Sequence, residues 1–340
     1  MIVFVLRRLV RIAFSLVAVS MITFILLQLA PGSFADISRL TSGGSALSSG
    51  ASAEAVKSQL TSRYGDQIPA WEQYLKFMKG VVTLDMGPSY KYPQYTVQHI
   101  IAIAFPISAG LALCAVALAL FVAVPLGVIA ALKRNTRWDY STMFGVTALH
   151  SLPSYLLALM LILLFSITVH IFPTSGWNGP KDAVLPILAL GLSSAAVLAR
   201  YVRASMVDTL REEYIVAAYA KGGTPRTVLV RHALRNSLIP LITVTGPLLA
   251  TLMTGTVFIE SIFQIPGLGL YFGFAAQTRD MPLLMGSALF FAAILMLMNL
   301  LVDVAYGLLD PRIRFGEGGW ATWRGPRRRR RMLQPAITTP

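Results

Sequence analysis

Charged side chains are scarce in this sequence. Asp, Glu, Lys and Arg together make up 13% of the residues, whereas a soluble domain carries about 25%. Cysteine is rarer still, because Cys114 is the one cysteine and no disulfide can form within the chain. These shortages exclude a water-soluble globular domain and a disulfide-stabilised secreted domain. Hydrophobic residues make up 55% of the chain, which is typical of a protein embedded in a membrane.

Residue patterns that carry catalysis are also missing. The sequence contains no HExxH metalloprotease motif, no GxSxG hydrolase motif and no phosphate-binding GxxxxGK[ST] loop. The spacing of the four histidines does not suit metal ligands on one helix face. The histidines are His99, His150, His170 and His232. We therefore expect no catalytic residues, no metal and no cofactor in this chain, so any energy that its function needs must be supplied by another chain.

Two polar residues within apolar stretches each allow two interpretations. Asp303 could relay protons, because ionisable groups inside membranes are often functional, but we favour a local ion pair or helix cap. His150 could mark a polar break along a substrate pathway, but we favour a hydrogen bond between helices. Both residues stay outside the predicted functional site.

The few charges leave six long uncharged gaps in the sequence. The gaps are 12–31, 92–132, 140–180, 183–199, 236–259 and 281–302. Roughly 20 apolar residues cross a bilayer, so the simplest prediction is an all-α membrane protein with six transmembrane helices. The second and third gaps are long enough for two spans each, but neither has a polar turn in its middle. We interpret Pro106, Pro125 and Pro153 as kinks in single tilted helices.

The first gap follows a cluster of arginines, as in a signal peptide. The apolar run is longer than a signal peptide needs, and the sequence at 29–32, Leu-Ala-Pro-Gly, is a poor cleavage site. We therefore interpret 1–31 as an uncleaved first transmembrane helix.

Basic residues set the predicted orientation. They concentrate in alternate connecting segments, while the short loops between these segments contain only Lys181 and Arg279. The positive-inside rule therefore predicts that both termini are cytoplasmic. The net charge of +14 follows from this distribution and does not indicate nucleic-acid binding. We expect the basic tail, 311–340, to be disordered and to lie near anionic lipid head groups.

The segment 32–99 follows the first span and is predicted to lie on the outer, periplasmic face. It begins with a Gly/Ser/Ala-rich strip and a predicted short helix at 52–60. Trp71, Tyr74, Leu75 and Met78 recur at helical spacing, which predicts an amphipathic helix in the membrane interface. The segment is too short for an enzyme domain, so we expect a small cap over a pathway entrance.

The most informative feature is a polar hairpin, 205–236, inside the five-helix core predicted for 100–310. Acidic residues begin a short helix, small residues line it, and Gly222 ends it. Thr224 and Pro225 then begin a second, basic helix as cap and first residue. Such a charged insert is not needed to cross a bilayer and indicates a docking surface. The candidate docking residues are Glu212, Glu213, Ala217, Ala218, Lys221, Gly222, Thr224, Pro225 and Arg226.

The hairpin resembles the EAA loop of ABC importer permeases. Residues 216–218, Val-Ala-Ala, and Gly222 occupy the EAA-x-x-x-G positions, with Val216 in place of the usual Glu. Residues 231–236, Arg-His-Ala-Leu-Arg-Asn, resemble the peptide branch of this family, although the usual later proline is displaced to Pro240. Further similarity covers nearly the whole chain and is greatest to the B subunits of oligopeptide permeases. Its segments are 85–92, 125–132, 135–140, 176–179, 263–269 and 302–314.

The resemblance implies a fold, partners and a location. It implies a type I importer permease fold with a cytoplasmic coupling helix, in the inner membrane of a bacterium. A C-type permease subunit would complete the pathway, two cytoplasmic ATPases would each receive a hairpin, and an extracytoplasmic binding protein would deliver peptide. Membrane lipid surrounds the chain, and nucleic acid is not a partner.

Other functions remain open at this point. Similar permeases import nickel, glutathione or other solutes. A proton-coupled secondary transporter would need buried carboxylates along the spans and inverted repeats, which the sequence does not show.

Overall fold

The computed structural model describes residues 2–29, 68–92 and 94–309, with side chains described for 6–29, 68–92, 94–254 and 256–304. The Gly/Ser/Ala-rich strip, the helix predicted at 52–60 and the basic tail 311–340 lie outside these residues. The described helices are α1 (Ile2–Leu29), α2 (Ala70–Val82), α3 (Val97–Leu132), α4 (Arg137–Ser151), α5 (Ser154–Thr168), α6 (Pro180–Thr209), α7 (Glu213–Ala220), α8 (Pro225–Ser237), α9 (Ile239–Gly255), α10 (Val257–Phe263), α11 (Leu268–Thr278) and α12 (Met281–Leu309).

Helices α3 and α6 form the centre of the bundle. Alanines line their contact, and Ala119, Ala123, Ala195 and Ala199 are all buried. Small side chains allow two helices to approach closely within a membrane, where packing replaces the hydrophobic effect as the driving force. The predicted continuity of α3 is confirmed, because the helix runs for 36 residues through both of its prolines.

The prediction of one tilted helix over 140–180 is wrong. The chain breaks at Leu152 and Pro153, and α4 and α5 meet at 100°. Proline lacks an N–H donor and disfavours the helical conformation at the preceding residue. Leu152 accordingly adopts an extended backbone, and Pro153 directly precedes α5.

The structure bounds the number of membrane spans. Among the described residues, four helices are long and apolar enough to cross a membrane, and three bent helix pairs raise the possible total to seven. The six-span count lies within this range and stays a prediction. The sequence analysis predicts a short loop at Arg279, and the structure shows a helix, α11, directly before this residue at 268–278.

Helix α2 packs against the first and last long helices. Phe77 is buried in a cluster with Phe24, Met285 and Leu289, and the Tyr74 hydroxyl lies 2.9 Å from Ser20 Oγ. The four residues of the predicted amphipathic helix therefore fall into two groups. Tyr74 and Met78 are partly buried against this cluster, whereas Trp71 and Leu75 remain exposed.

The two polar residues with open interpretations are also described. Asp303 forms a 2.6 Å ion pair with Arg8, which links α12 to α1, in agreement with local pairing. His150 is exposed, and its side chain makes no hydrogen bond to the described residues. The expected hydrogen bond between helices is therefore wrong for His150, because the α4–α5 bend leaves this residue at an exposed helix end.

Candidate functional site: a helical hairpin

The backbone of the predicted hairpin forms a helix, a tight turn and a second helix. Helix α7 begins after Glu212 and ends before Lys221. Thr224 Oγ1 accepts a hydrogen bond of 3.3 Å from the backbone N–H of Thr227, and Pro225 is the first residue of α8. The predicted cap and helix start are confirmed. They were predictable because both signals are local in sequence.

The two turn glycines are required for different reasons. Gly222 has a φ of +80°, a left-handed conformation that glycine adopts without steric cost. Gly223 donates its N–H to the carbonyl of Ala218. A β-carbon on Gly223 would lie 2.8 Å from that carbonyl oxygen and 2.9 Å from Val228 Cγ2. One glycine therefore sets the backbone angle and the other allows the two helices to approach.

Apolar side chains hold the inner face of the hairpin against the bundle. Ile215 is 1% exposed and packs with Val228 and Ala233 of α8. The same cluster includes Met206 of α6 and Ala131 of α3. The hairpin is thus packed directly against the ends of the two central helices rather than tethered as a free loop.

Polar contacts reinforce this attachment. The Asn236 side chain donates a 2.9 Å hydrogen bond to the Tyr214 hydroxyl across the hairpin. Ser205 Oγ of α6 donates a 2.8 Å bond to the carbonyl of Ser237, where α8 ends. These two bonds connect both arms of the hairpin to each other and to α6.

An ion pair extends the connection to the bent helices. Arg203 donates two hydrogen bonds of 2.6 Å each to the carboxylate of Asp139 in α4. The Asp139 side chain is 2% exposed, and the carboxylate also accepts a bond from the backbone N–H of Asn135. A bidentate pair of this kind fixes orientation as well as distance. It joins α6, which leads into the hairpin, to α4.

The outer face of the hairpin contains most of the predicted docking residues. Ala218 is the exception, because it is partly buried against the cluster around Ile215. The exposed members of the predicted set are Glu212, Glu213, Ala217, Lys221, Gly222, Thr224, Pro225 and Arg226. Acidic residues stand at the start of α7 and basic residues at the turn, so the exposed surface carries both signs of charge.

The second helix departs from a regular α-helix. Val228–Leu234 within α8 is a π-helical segment. π-Helical turns are rare and often occur at functional sites. Here the segment places Val228 and Ala233 together in the buried cluster, and the sequence pattern gave no signal for it.

Besides Asp139, two further buried carboxylates were missed by the sequence analysis. Glu260 is fully buried, accepts hydrogen bonds from Thr256 Oγ1 and the Leu270 N–H, and thereby caps the start of α11. A β-carbon on Gly267 would lie 2.5 Å from the Glu260 carboxylate. A usable signal existed, namely an acidic residue at the edge of an uncharged gap followed by Pro-Gly-x-Gly at 266–269.

The second carboxylate, Asp280, joins the start of α12 to the segment before α3. It accepts hydrogen bonds from the Leu283 N–H at 3.1 Å, from the Lys91 N–H at 3.0 Å and from the Ser89 hydroxyl. Burial raises the pKa of the Asp280 carboxyl above its ordinary value, and the hydrogen-bond donors oppose that rise. This network has the form of a structural junction rather than a reactive site.

A cavity of about 710 Å³ lies between α3, α9 and α12. Arg235 of α8 stands at one end, and apolar side chains form nearly all of the remaining wall. No group of three or more metal-binding side chains occurs in the described part of the chain.

Comparison with known proteins agrees with this architecture. Relatives include the dipeptide transport system permease protein DppB of Bacillus subtilis, 39% identical over 93% of this chain and 99% of that protein. The oligopeptide transport system permease protein OppB of Salmonella typhimurium is 38% identical over 93% of this chain and all of that protein.

Structural and family comparisons cover the core of the chain. An inward-facing structure of the MetNI methionine ABC transporter superposes with a TM-score of 0.54 at 18% identity, over 62% of this chain and 96% of that one. This likeness shows a shared fold. Residues 1–112 match the N-terminal model of binding-protein-dependent transport membrane components, and residues 123–315 match the inner membrane component model itself. The chain therefore belongs to the family of binding-protein-dependent transport system inner membrane components.

Proposed function

We propose that the chain is the membrane-spanning subunit of an ATP-driven peptide importer, with the type I permease fold. A C-type permease subunit would form the other half of the pathway. Two cytoplasmic ATPases would bind ATP and Mg²⁺, and an extracytoplasmic binding protein would deliver the peptide. This chain would itself bind no nucleotide.

The observation that carries the proposal is the two-sided construction of the hairpin. Its inner face is packed on α3 and α6 through Ile215 and Met206, while its outer face exposes Ala217 and charged residues. A partner that moves the outer face must therefore move the ends of both central helices. ATP binding would stabilise one of two arrangements of the bundle, which is differential stabilisation by a ligand.

Peptide is the proposed cargo because the relatives at 39% and 38% identity are named as dipeptide and oligopeptide permeases. Nickel, glutathione and other solutes are therefore less favoured. A proton-coupled mechanism is also disfavoured by the structure. Each of the three buried carboxylates described above has a structural partner. Asp139 is paired with Arg203, and Glu260 and Asp280 are bound by backbone N–H donors at helix starts.

The proposed location is the bacterial inner membrane, with both termini and the hairpin in the cytoplasm. The basic residues of the hairpin and of α6 support this orientation through the positive-inside rule. The segment before α3 would then be periplasmic.

Reconstitution tests the proposal. The purified chain is placed in liposomes alone, with a pH gradient, and then with the second permease, the ATPases, the binding protein and ATP. We expect saturable peptide uptake only with the full set and ATP. Uptake by the lone chain, or uptake driven by the pH gradient, would overturn the proposal.

A further inference from the structure

The cavity between α3, α9 and α12 has no role in the coupling described above. We propose that it binds an anionic phospholipid of the inner leaflet, with an acyl chain among its apolar side chains and the phosphate on Arg235. The inference rests on the proposed orientation, in which the hairpin is cytoplasmic, and does not depend on which solute is transported.

The length of the cavity matches one leaflet. Its wall follows α9 from Ile239 to Leu249, which is about 15 Å at 1.5 Å per residue. The hydrocarbon core of a bilayer is about 30 Å thick, so the cavity spans about half of it. Arg235 lies about one helical turn before this stretch, so in the proposed orientation it is on the cytoplasmic side of the cavity, where the inner head groups would lie.

The lining favours an acyl chain over a peptide. The apolar residues that line the cavity include Leu120 and Val124 of α3, Ile242 of α9 and Leu301 of α12. The hydroxyl of Thr245, one of the few polar groups in the wall, donates its hydrogen bond to a carbonyl of its own helix at 2.7 Å. A peptide backbone placed there would lose its hydrogen bonds to water without replacement, whereas an acyl chain has none to lose.

The charge at the end of the cavity selects the head group. No Asp or Glu lines the cavity, and the Arg235 guanidinium forms no ion pair with the residues that the structure describes. Guanidinium binds phosphate through paired donors, and basic pockets between helices on the cytoplasmic side bind anionic lipid head groups. An apolar helix of a partner subunit could fill the cavity but would provide no anion for Arg235.

Native mass spectrometry tests the proposal on the chain purified with its co-purifying subunits. The complex is reconstituted in nanodiscs of phosphatidylcholine and phosphatidylglycerol, released, and its retained lipids are counted. We expect preferential retention of phosphatidylglycerol. Arg235→Gln should lower the ratio of retained phosphatidylglycerol to phosphatidylcholine about fivefold, the usual effect of one basic residue at a membrane surface.

Two further variants separate charge from cavity volume. Arg231→Gln removes an exposed arginine of the same helix that does not line the cavity, and should leave the ratio unchanged. Leu249→Trp fills the deep end and should reduce retention of both lipids. An unchanged ratio in Arg235→Gln would overturn the proposal. So would efficient cross-linking of Leu249→Cys to a partner permease, which would make the cavity a subunit interface.

Peptide uptake measured on the same preparations keeps the two proposals distinct. Selective lipid retention without ATP-dependent peptide uptake would leave the lipid site standing and refute the importer assignment. Normal peptide uptake without lipid selectivity would support the importer assignment and refute the lipid site.

Discussion

Gly222 offers a direct test of the proposed coupling through the hairpin turn. Its φ of +80° lies in the left-handed region, where a residue with a β-carbon costs roughly 1–2 kcal/mol. A β-carbon at Gly222 would meet no other atom within 4 Å, so the cost is one of backbone conformation rather than collision. Gly222→Val should therefore lower the population of the native turn by about 5- to 30-fold.

The expected result is partial uncoupling. The apolar cluster around Ile215 still attaches the hairpin to the bundle in Gly222→Val, so the complex should assemble and hydrolyse ATP. In proteoliposomes with all partners, less peptide should be transported per ATP hydrolysed. Gly222→Asn is the matched control, because Asn is similar in size to Val and tolerates the left-handed conformation. If Gly222→Val transported as much peptide per ATP as the wild type, the reasoning would be refuted. If both variants lost transport per ATP equally, the cause would be side-chain bulk.

Three further predictions concern the hairpin and the helix junctions. Ala217→Cys should be labelled by a water-soluble maleimide in the free chain and protected by bound ATPases, whereas the partly buried Ala218→Cys should label weakly in both states; unprotected Ala217→Cys would contradict docking there. Arg203→Ala should destabilise the protein by about 3–5 kcal/mol, because it leaves the buried Asp139 carboxylate uncompensated. The thermal midpoint of unfolding should fall, and adding Asp139→Asn to Arg203→Ala should partly restore it. An unchanged midpoint in Arg203→Ala would contradict this prediction. Burial raises the pKa of Asp280, so the stability that this carboxyl contributes is present at low pH and is lost as the pH rises through its folded-state pKa. The thermal midpoint of the wild type minus that of Asp280→Asn should therefore fall as the pH rises. A difference that does not change with pH would contradict this prediction.

The hairpin turn could be predicted from sequence because its signals are local. Glycine, threonine and proline at 222–225 determine where one helix ends and the next begins, through contacts spanning at most a few residues. The inward direction of Ala218 could not be predicted from local sequence. It depends on the packing of Ile215, three residues earlier, against α3 and α6. A short helix with apolar residues on several sides does not reveal which face is covered.

The prolines show the limit of local reasoning. Pro106 and Pro125 lie inside a continuous α3, whereas Pro153 separates two helices that meet at 100°. Proline removes one hydrogen bond in each case, so the outcome depends on the surroundings. Helix α3 packs extensively along α6, which supports a continuous helix through both prolines, while α4 exposes large side chains such as Phe144 and lacks such support.

Glu260 and Asp280 were missed because each carboxylate accepts a hydrogen bond from a residue that is distant in the sequence. Glu260 binds an N–H ten residues away. The neighbouring start of α11 is completed by Ser108, 160 residues earlier, which accepts the Leu268 N–H. No periodic pattern encodes such a pairing.

The junction at Asp280 has a consequence for the order in which the chain folds. Its carboxylate and the Ser89 hydroxyl are separated by 191 residues, so their contact has one of the largest loop-closure costs in the protein. The segment before α3 is synthesised early, yet its N–H groups at 90–91 lack this partner until α12 has begun to emerge. Closure of this end is therefore a late step of biogenesis, and a chain that ends before Asp280 would leave the N–H groups at 90–91 without this acceptor.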